Sequence, residues 1–399
     1  MRWRRVWAAS AATVISVSVL AGPAAAAPAP RVGAVAAAAP ATTDPATERA
    51  AEQAAEMVAQ MTTVEQATSI VMGHIGGTDA TALRAYMQSG LGGFILMGGN
   101  IPETEAELRA LTDALTIDPA LPPLIAVDQE GGIVSRLHGD DFPASTSLKD
   151  GSDADVAAAF AARASLVARG GISVNFGTVA DVTADPQSFI YGRALGTDPA
   201  GAGEHVAAAT AAQEPFVAST LKHFPGHGAA PGDSHSSIPS TGMSLDEWRA
   251  ADAVPFVDGI GAGASLVMLG HLSYTAVDPL PATLSPTWHG ILRDELGFDG
   301  VTVTDDLGML LSSGMSEYSD PVRNAVLSVA AGNDLVLMIA GSTAATAGEM
   351  ATGIAAAVES GALPADRLAE AATRVLALRL EGSTATSDWT VCAECRPAG

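Results

Sequence analysis

Short apolar runs rich in β-branched residues alternate along this chain with longer Ala- and Leu-rich segments whose apolar residues recur at helical spacing, and few folds accommodate that alternation. The runs fall at Ser69–Met72, Gly93–Met97, Leu124–Val127, Ser173–Phe176, Ser219–His223, Ser265–Leu269, Val301–Thr304 and Leu335–Met338. Helices are expected near 50–60, 81–89, 103–116, 152–168, 200–213, 245–258, 286–296 and 319–331, with 344–359 and 365–380 closing the domain. Eight β/α units predict an α/β protein with a TIM-type (β/α)8 barrel as its single domain, over residues 48–382. A doubly wound open sheet is the competing architecture. It needs a Gly-rich phosphate turn after an early strand, and Gly131-Gly132 after Asp128-Gln129-Glu130 lacks that spacing.

The ends of the chain read differently from its middle. Met1-Arg2-Trp3-Arg4-Arg5 precedes an apolar stretch from Val6 to Gly22, and Ala24-Ala25-Ala26 supplies a small-residue cleavage site, so residues 1–26 are expected to be a secretory signal peptide. The apolar run is short for a membrane span, and no cysteine follows it as a lipid attachment site. Residues 27–47 have the Ala/Pro-rich composition of a flexible linker. The tail, residues 383–399, carries both cysteines, Cys392 and Cys395, for which a small terminal disulfide is the expected state. Loss of Arg2, Arg4 and Arg5 with the leader moves the formal charge from −24 to −27, which disfavours a nucleic-acid partner and suits a secreted, soluble monomer.

Polar residues cluster where the apolar runs end. Asp128 follows the third run, Asn175 ends the fourth, Lys222 and His223 end the fifth, His271 follows the sixth and Asp305 follows the seventh. In a (β/α)8 barrel those ends share one face, so residues far apart in sequence converge there.

The densest chemistry lies in Lys222-His223-Phe224-Pro225-Gly226-His227-Gly228 with Asp233-Ser234-His235. Histidines four apart suggest a metal pair on a helix, but Pro225 and two glycines make this a strand end entering a loop, so no metal site is expected. Asp233 and His235, two apart in an extended loop, point to one side. The carboxylate can hold one imidazole nitrogen and leave the other for a substrate, which is a general acid/base; the plainer reading is a surface Asx turn. Val301-Thr302-Val303-Thr304 ends in Asp305-Asp306, where strand alternation sends only one carboxylate into the barrel mouth and Asp306 suits a helix N-cap. A carboxylate facing a general acid is the arrangement of retaining glycosidases. Asp128, Arg136, Arg193, Lys222 and His223 make a hydroxyl-reading set suited to a sugar.

These motifs together resemble bacterial glycoside hydrolase family 3 β-N-acetylglucosaminidases of the single-domain type. Val127-Asp128-Gln129-Glu130-Gly131-Gly132 with Arg136, Val174-Asn175-Phe176 with Asp181-Val182, and Thr304-Asp305-Asp306-Leu307-Gly308-Met309 agree with the pattern, which runs from about Ala54 to Leu380. The resemblance implies Asp305 as nucleophile, Asp233 and His235 as an acid/base dyad on a mobile loop, and Asp128, Arg136, Arg193, Lys222 and His223 as sugar-binding groups. For His227 loop organisation is expected. Gly192-Arg193-Ala194-Leu195-Gly196 and Phe94-Ile95-Leu96-Met97-Gly98-Gly99-Asn100 depart from the commoner family forms. The implied activity is a secreted retaining β-N-acetylhexosaminidase, without cofactor, releasing terminal N-acetylglucosamine from peptidoglycan fragments or chitooligosaccharides. The competing readings are a phosphorylase using the same dyad and a non-catalytic cell-wall sugar-binding barrel.

Overall fold

The computed structural model describes residues 45–385, with side chains as far as Gly382. The expected signal peptide, all of the linker except Pro45-Ala46-Thr47, and the Cys392/Cys395 motif lie outside the described residues. Those three linker residues open the first helix, Pro45–Val58.

Eight parallel strands form the barrel: β1 (Val71–Gly73), β2 (Gly93–Leu96), β3 (Leu124–Val127), β4 (Val174–Val179), β5 (Ala218–Phe224), β6 (Leu266–Leu269), β7 (Val301–Thr304) and β8 (Val336–Leu337). Each pairs with its neighbour in chain order, and β8 pairs with β1 through Val71↔Val336 and Met72↔Leu337. A bridge between Val303 and Leu335 joins β7 to β8 and brings the sheet round to a nearly closed cylinder. The TIM-type expectation holds. Its strands are almost wholly buried because helices cover the outside and side chains fill the inside.

Local boundaries differ from expectation where polar side chains redirect the backbone. Ser69 ends a helix, Thr63–Ser69, started by a capping box between Thr62 and Glu65. The fourth strand runs on to Val179 past an irregularity between Asn175 and Thr178. Asn175 is therefore inside the barrel wall, where it bonds the Gln129 backbone and Gln213. The expected helix 245–258 is two, Leu245–Ala250 and Ala253–Gly261.

The weakest part of the cylinder, the short β8, is braced by a buried ion cluster. Asp334 accepts from Arg293 at 2.6 Å, from the Thr302 amide at 3.0 Å, from Arg367 at 2.5 Å and from Arg374 at 3.3 Å. One fully buried carboxylate thus ties the start of β7 to the C-terminal helix, Ala365–Ala385. Removing it strands Arg293 and leaves Arg367 and Arg374 only Glu370 as a carboxylate partner, and breaking a buried pair of this kind costs about 3–5 kcal/mol. Asp334→Ala is expected to lose that much in urea unfolding; a loss below about 1 kcal/mol would show that the cluster does not close the barrel.

Candidate active site

The carboxyl ends of the strands carry a network of buried charges. Lys222, near the end of β5, is 2% exposed and donates to Asp128 at 3.0 Å, and it pairs with Glu130 at 2.7 Å. Arg193 grips Glu130 with its fork, Nε to one oxygen at 2.9 Å and Nη2 to the other at 2.8 Å. Arg136 reaches the second oxygen of Asp128 at 3.4 Å. Burial alone would raise Asp128 and Glu130, but the cations outweigh it: Lys222 and Arg136 hold Asp128, and Lys222 and Arg193 hold Glu130, below the usual carboxylate range. All five groups are charged, and Asp128 and Arg136 keep some exposure at the mouth, with side chains 16% and 28% accessible.

A second chain of contacts orients the imidazole of His223. Asp181 is 1% exposed and accepts from the His223 backbone N–H at 3.1 Å, from His223 Nδ1 at 2.7 Å and from the His227 backbone N–H at 2.6 Å. Burial, then the Arg193 charge, push His223 well below its ordinary value against the opposite pull of Asp305. The ring is neutral, with its proton on Nδ1, and Nε2 accepts from Arg193 Nη2 at 3.3 Å. Phe224-Pro225-Gly226 then turns sharply: Gly226 has φ 127°, and at Gly228 a Cβ would collide with the Val182 backbone.

Asp305 and Asp306 separate as strand alternation requires. Asp305 stays on the ladder through its N–H to Leu269 O at 3.0 Å, and its carboxylate accepts the Asp306 N–H at 2.8 Å. Burial would raise Asp305, but His223, His271, that N–H and Lys222 hold it below the usual range. Asp306 turns away, caps the helix Leu307–Ser312 at Gly308 N (2.8 Å), and accepts from Ile339 N and Ala340 N at 2.7 and 2.9 Å. His271 braces the same turn by bonding Asp306 O at 2.9 Å. Asp305 is thus an ionised carboxylate with a free oxygen among imidazoles, fit to attack an electrophilic carbon.

Asp233 and His235 sit apart from this network. Asp233 Oδ1 accepts both the His235 backbone N–H (2.9 Å) and Nδ1 (2.6 Å), so the Asx turn and the acid–imidazole pair are one structure. The pair is open to solvent, with side chains 63% and 48% exposed for His235 and Asp233. The loop is fixed at both ends: Trp248 and Tyr274 bond Pro225 O and Gly226 O at 2.7 Å, and Ser240–Thr241 pairs with Ser273–Tyr274. Between them, the link from His235 inward is Phe189. Its ring lies edge-on to His235 at 6.0 Å and to His227 at 4.7 Å, with the Arg193 guanidinium 5.6 Å from its centre. The buried ring of His227 packs between Phe189 and His223, and both its nitrogens lack hydrogen-bond partners among the described residues.

Sequence reasoning left Glu130, Asp181 and Phe189 without roles. Glu130 and Asp181 each carried a positional signal, an acid three or two residues beyond a strand end, on the face that the cationic end of β5 shares.

A barrel with an ionised aspartate among imidazoles, beside a buried carboxylate–cation network, defines a glycoside-hydrolase type of site. Residues 53–378 match the family described as glycosyl hydrolase family 3 N terminal domain, and the chain belongs to that family of glycoside hydrolases. The β-hexosaminidase of Stenotrophomonas maltophilia is 38% identical over 258 residues, 60% of this chain and 74% of that one. Among solved structures, the family 3 β-N-acetylglucosaminidase of Paenibacillus sp. superposes with a TM-score of 0.74 at 30% identity, over 82% of this chain but only 63% of that one. The β-N-acetylhexosaminidase of Beutenbergia cavernae superposes at 0.70 with 28% identity, over 80% and 98% of the two chains.

The floor of the loop makes a testable electrostatic statement. Asp252 lies beneath Gly226, and burial, then the charge of Asp181, push it up to about 7. A carboxyl raised on folding adds nothing to instability while protonated in both states; it destabilises the fold progressively as pH rises from about 4 to about 7. Asp252→Asn is therefore expected to match the parent near pH 4 and exceed it in stability near pH 7.5, by a few kcal/mol at most. Equal melting-temperature differences at the two pH values would contradict the burial argument.

Proposed function

We propose that the chain is a secreted retaining β-N-acetylhexosaminidase that removes non-reducing terminal N-acetylglucosamine from peptidoglycan fragments or chitooligosaccharides. The observation that carries this reading is the state of Asp305: ionised, half-buried, with one oxygen uncommitted at the end of β7. Its carboxylate attacks the anomeric carbon as the glycosidic C–O bond breaks, and His235 Nε2–H protonates the departing oxygen. His235 then takes a proton from water, whose oxygen displaces Asp305 and frees the sugar. Asp233 holds Nδ1 throughout, which leaves Nε2 as the working nitrogen. Asp128, Arg136, Arg193, Lys222 and His223 meet the sugar hydroxyls, while Glu130 holds the two cations Lys222 and Arg193 in place. The relatives' hexosaminidase activity supports the sugar class. The basic, apolar and small-residue run of residues 1–26 supports export.

The roles separate in kinetics on aryl N-acetylglucosaminides. Asp305→Ala is expected to lose about 10⁴-fold or more in kcat with every leaving group. His235→Ala is expected to lose about 10²–10⁴-fold with poor leaving groups and much less with activated ones, because only the former need a proton. Near-parental turnover by Asp305→Ala would refute the nucleophile, and a loss independent of the leaving group would refute His235 as the acid. Products from chitobiose in phosphate buffer are expected to be free N-acetylglucosamine; a sugar 1-phosphate would overturn hydrolysis.

The ionisation of Asp305 also sets the acid side of the pH profile. With its carboxyl held below the ordinary aspartate value, kcat/KM is expected to keep its plateau down to about pH 4 as far as this group is concerned. Replacing Lys222 by Met removes one of the charges that hold it there, and is expected to move the acid limb to higher pH. An unmoved limb with lowered kcat/KM would assign Lys222 to substrate contact alone.

A further inference from the structure

Ile133 is 72% exposed, the most exposed of the large apolar side chains among the described residues. A lone apolar side chain on a surface needs no explanation. This one stands beside the candidate active site. It is carried by a hairpin that begins at Glu130 and is closed by the Glu130 and Gly131 N–H groups, which donate to Val134 O at 3.0 and 3.1 Å. Arg193 and Lys222 grip Glu130, so the hairpin is fixed to the charge network. The Ile133 side chain lies against Gly192, where a Cβ would stand 3.5 Å from its Cδ1, and Gly192 adjoins Arg193. Phe189, three residues before Gly192, is half-buried, with the Arg193 guanidinium 5.6 Å from its ring centre. The same ring stands edge-on to His235 at 6.0 Å. Two apolar groups thus meet at the stretch 189–193, and one of them touches the proton donor. Exposed charge around them is either negative or paired. Asp185, on the loop that carries Phe189, and Asp233 are exposed acids. Arg136 faces Asp128 at 3.4 Å, and Lys149 Nζ sits 3.8 Å from the centre of the Tyr191 ring while donating to Tyr191 O.

We propose that Phe189 and Ile133 form the subsite for the leaving group and take the apolar face of an uncharged pyranose, such as a second N-acetylglucosamine. The proposal rests on the hexosaminidase reading above and specifies the sugar on the far side of the bond that is cut. His235 must reach the oxygen that joins the two sugars, so a ring beside His235 is beside whatever that oxygen leaves with. The C–H groups on one face of a pyranose pack on an aromatic or aliphatic surface while the hydroxyls stay in water. Ile133 then has an apolar partner that solvent does not give it. A leaving sugar that carries a carboxylate is repelled by Asp185 and Asp233, so the subsite favours a neutral one.

Chitobiose and methyl β-N-acetylglucosaminide test this together on the full-length protein, because both need a proton on a poor leaving oxygen and only the first carries a second ring. The readout is the ratio of their kcat/KM values. Ile133→Ser and Phe189→Ala are each expected to lower that ratio roughly three- to tenfold, mainly through a raised KM for chitobiose. Ile133 is exposed at a hairpin tip, so its replacement leaves the fold intact. If Phe189 only steadied His235, its loss would slow both glycosides alike; an unchanged ratio in both variants would overturn the subsite. N-acetylglucosaminyl-N-acetylmuramic acid is expected to be cut about fivefold or more less efficiently than chitobiose at low salt. An equal or higher kcat/KM for it would overturn the uncharged class. A parent protein that hydrolyses neither glycoside would sink the hexosaminidase reading and the subsite with it, whereas parental turnover with unchanged ratios sinks the subsite alone.

Discussion

The pairing of buried charge at the carboxyl end of the barrel is the constraint on which the rest of this site depends. Lys222, Arg193, Glu130 and Asp128 lie where water cannot solvate them fully, and an unpaired charge there would cost several kcal/mol. Each is therefore held by at least one opposite partner, and the strands that carry them, β3 and β5 with the loop after β4, cannot shift independently. Burial, then the Arg193 charge, keep His223 a neutral imidazole, and Asp181 fixes which nitrogen carries its proton. A lone aspartate, Asp305, is left ionised in the resulting field with an oxygen to spare. Polarity at the mouth is thus a consequence of how neighbouring strands neutralise one another.

The Asp233–His235 pair obeys a different rule. It is exposed and hydrogen-bonded only within its own turn, so moving it breaks nothing in the network. Firm anchors at Pro225, Gly226 and Ser240–Thr241 limit how far it travels, and Phe189 gives it a surface that also touches His227 and Arg193. A proton donor that must meet a leaving group and later a water molecule suits such a tethered position, paired only within its own turn.

The barrel was legible because apolar strand runs and helical segments have distinct periods, and because the polar groups at strand ends mark one face. That Asp305 and Asp306 face opposite ways followed from alternation, and the N-cap assignment of Asp306 is what the structure shows; the nucleophile role of Asp305 came from the family resemblance. Asn175 was placed at a strand end because the fourth run looks finished at Phe176, whereas the strand continues through Gly177 to Val179 by way of an irregular register. The position of Glu130 and Asp181 beyond strand ends was readable, but their roles lie in partners 63 and 42 residues away, Arg193 and His223, and spacing on that scale does not identify a partner. Phe189 is one aromatic in a loop without periodicity, and only the fold brings three functional groups to its ring.

The account stands or falls on a glycosyl bond to Asp305. Quenching the protein in acid during turnover of an activated N-acetylglucosaminide, in a His235→Ala background that slows release, and mapping the digested peptides by mass should place one N-acetylglucosamine on the peptide containing Asp305. An adduct on another residue, or full turnover with inversion at the anomeric carbon and no adduct, would contradict it.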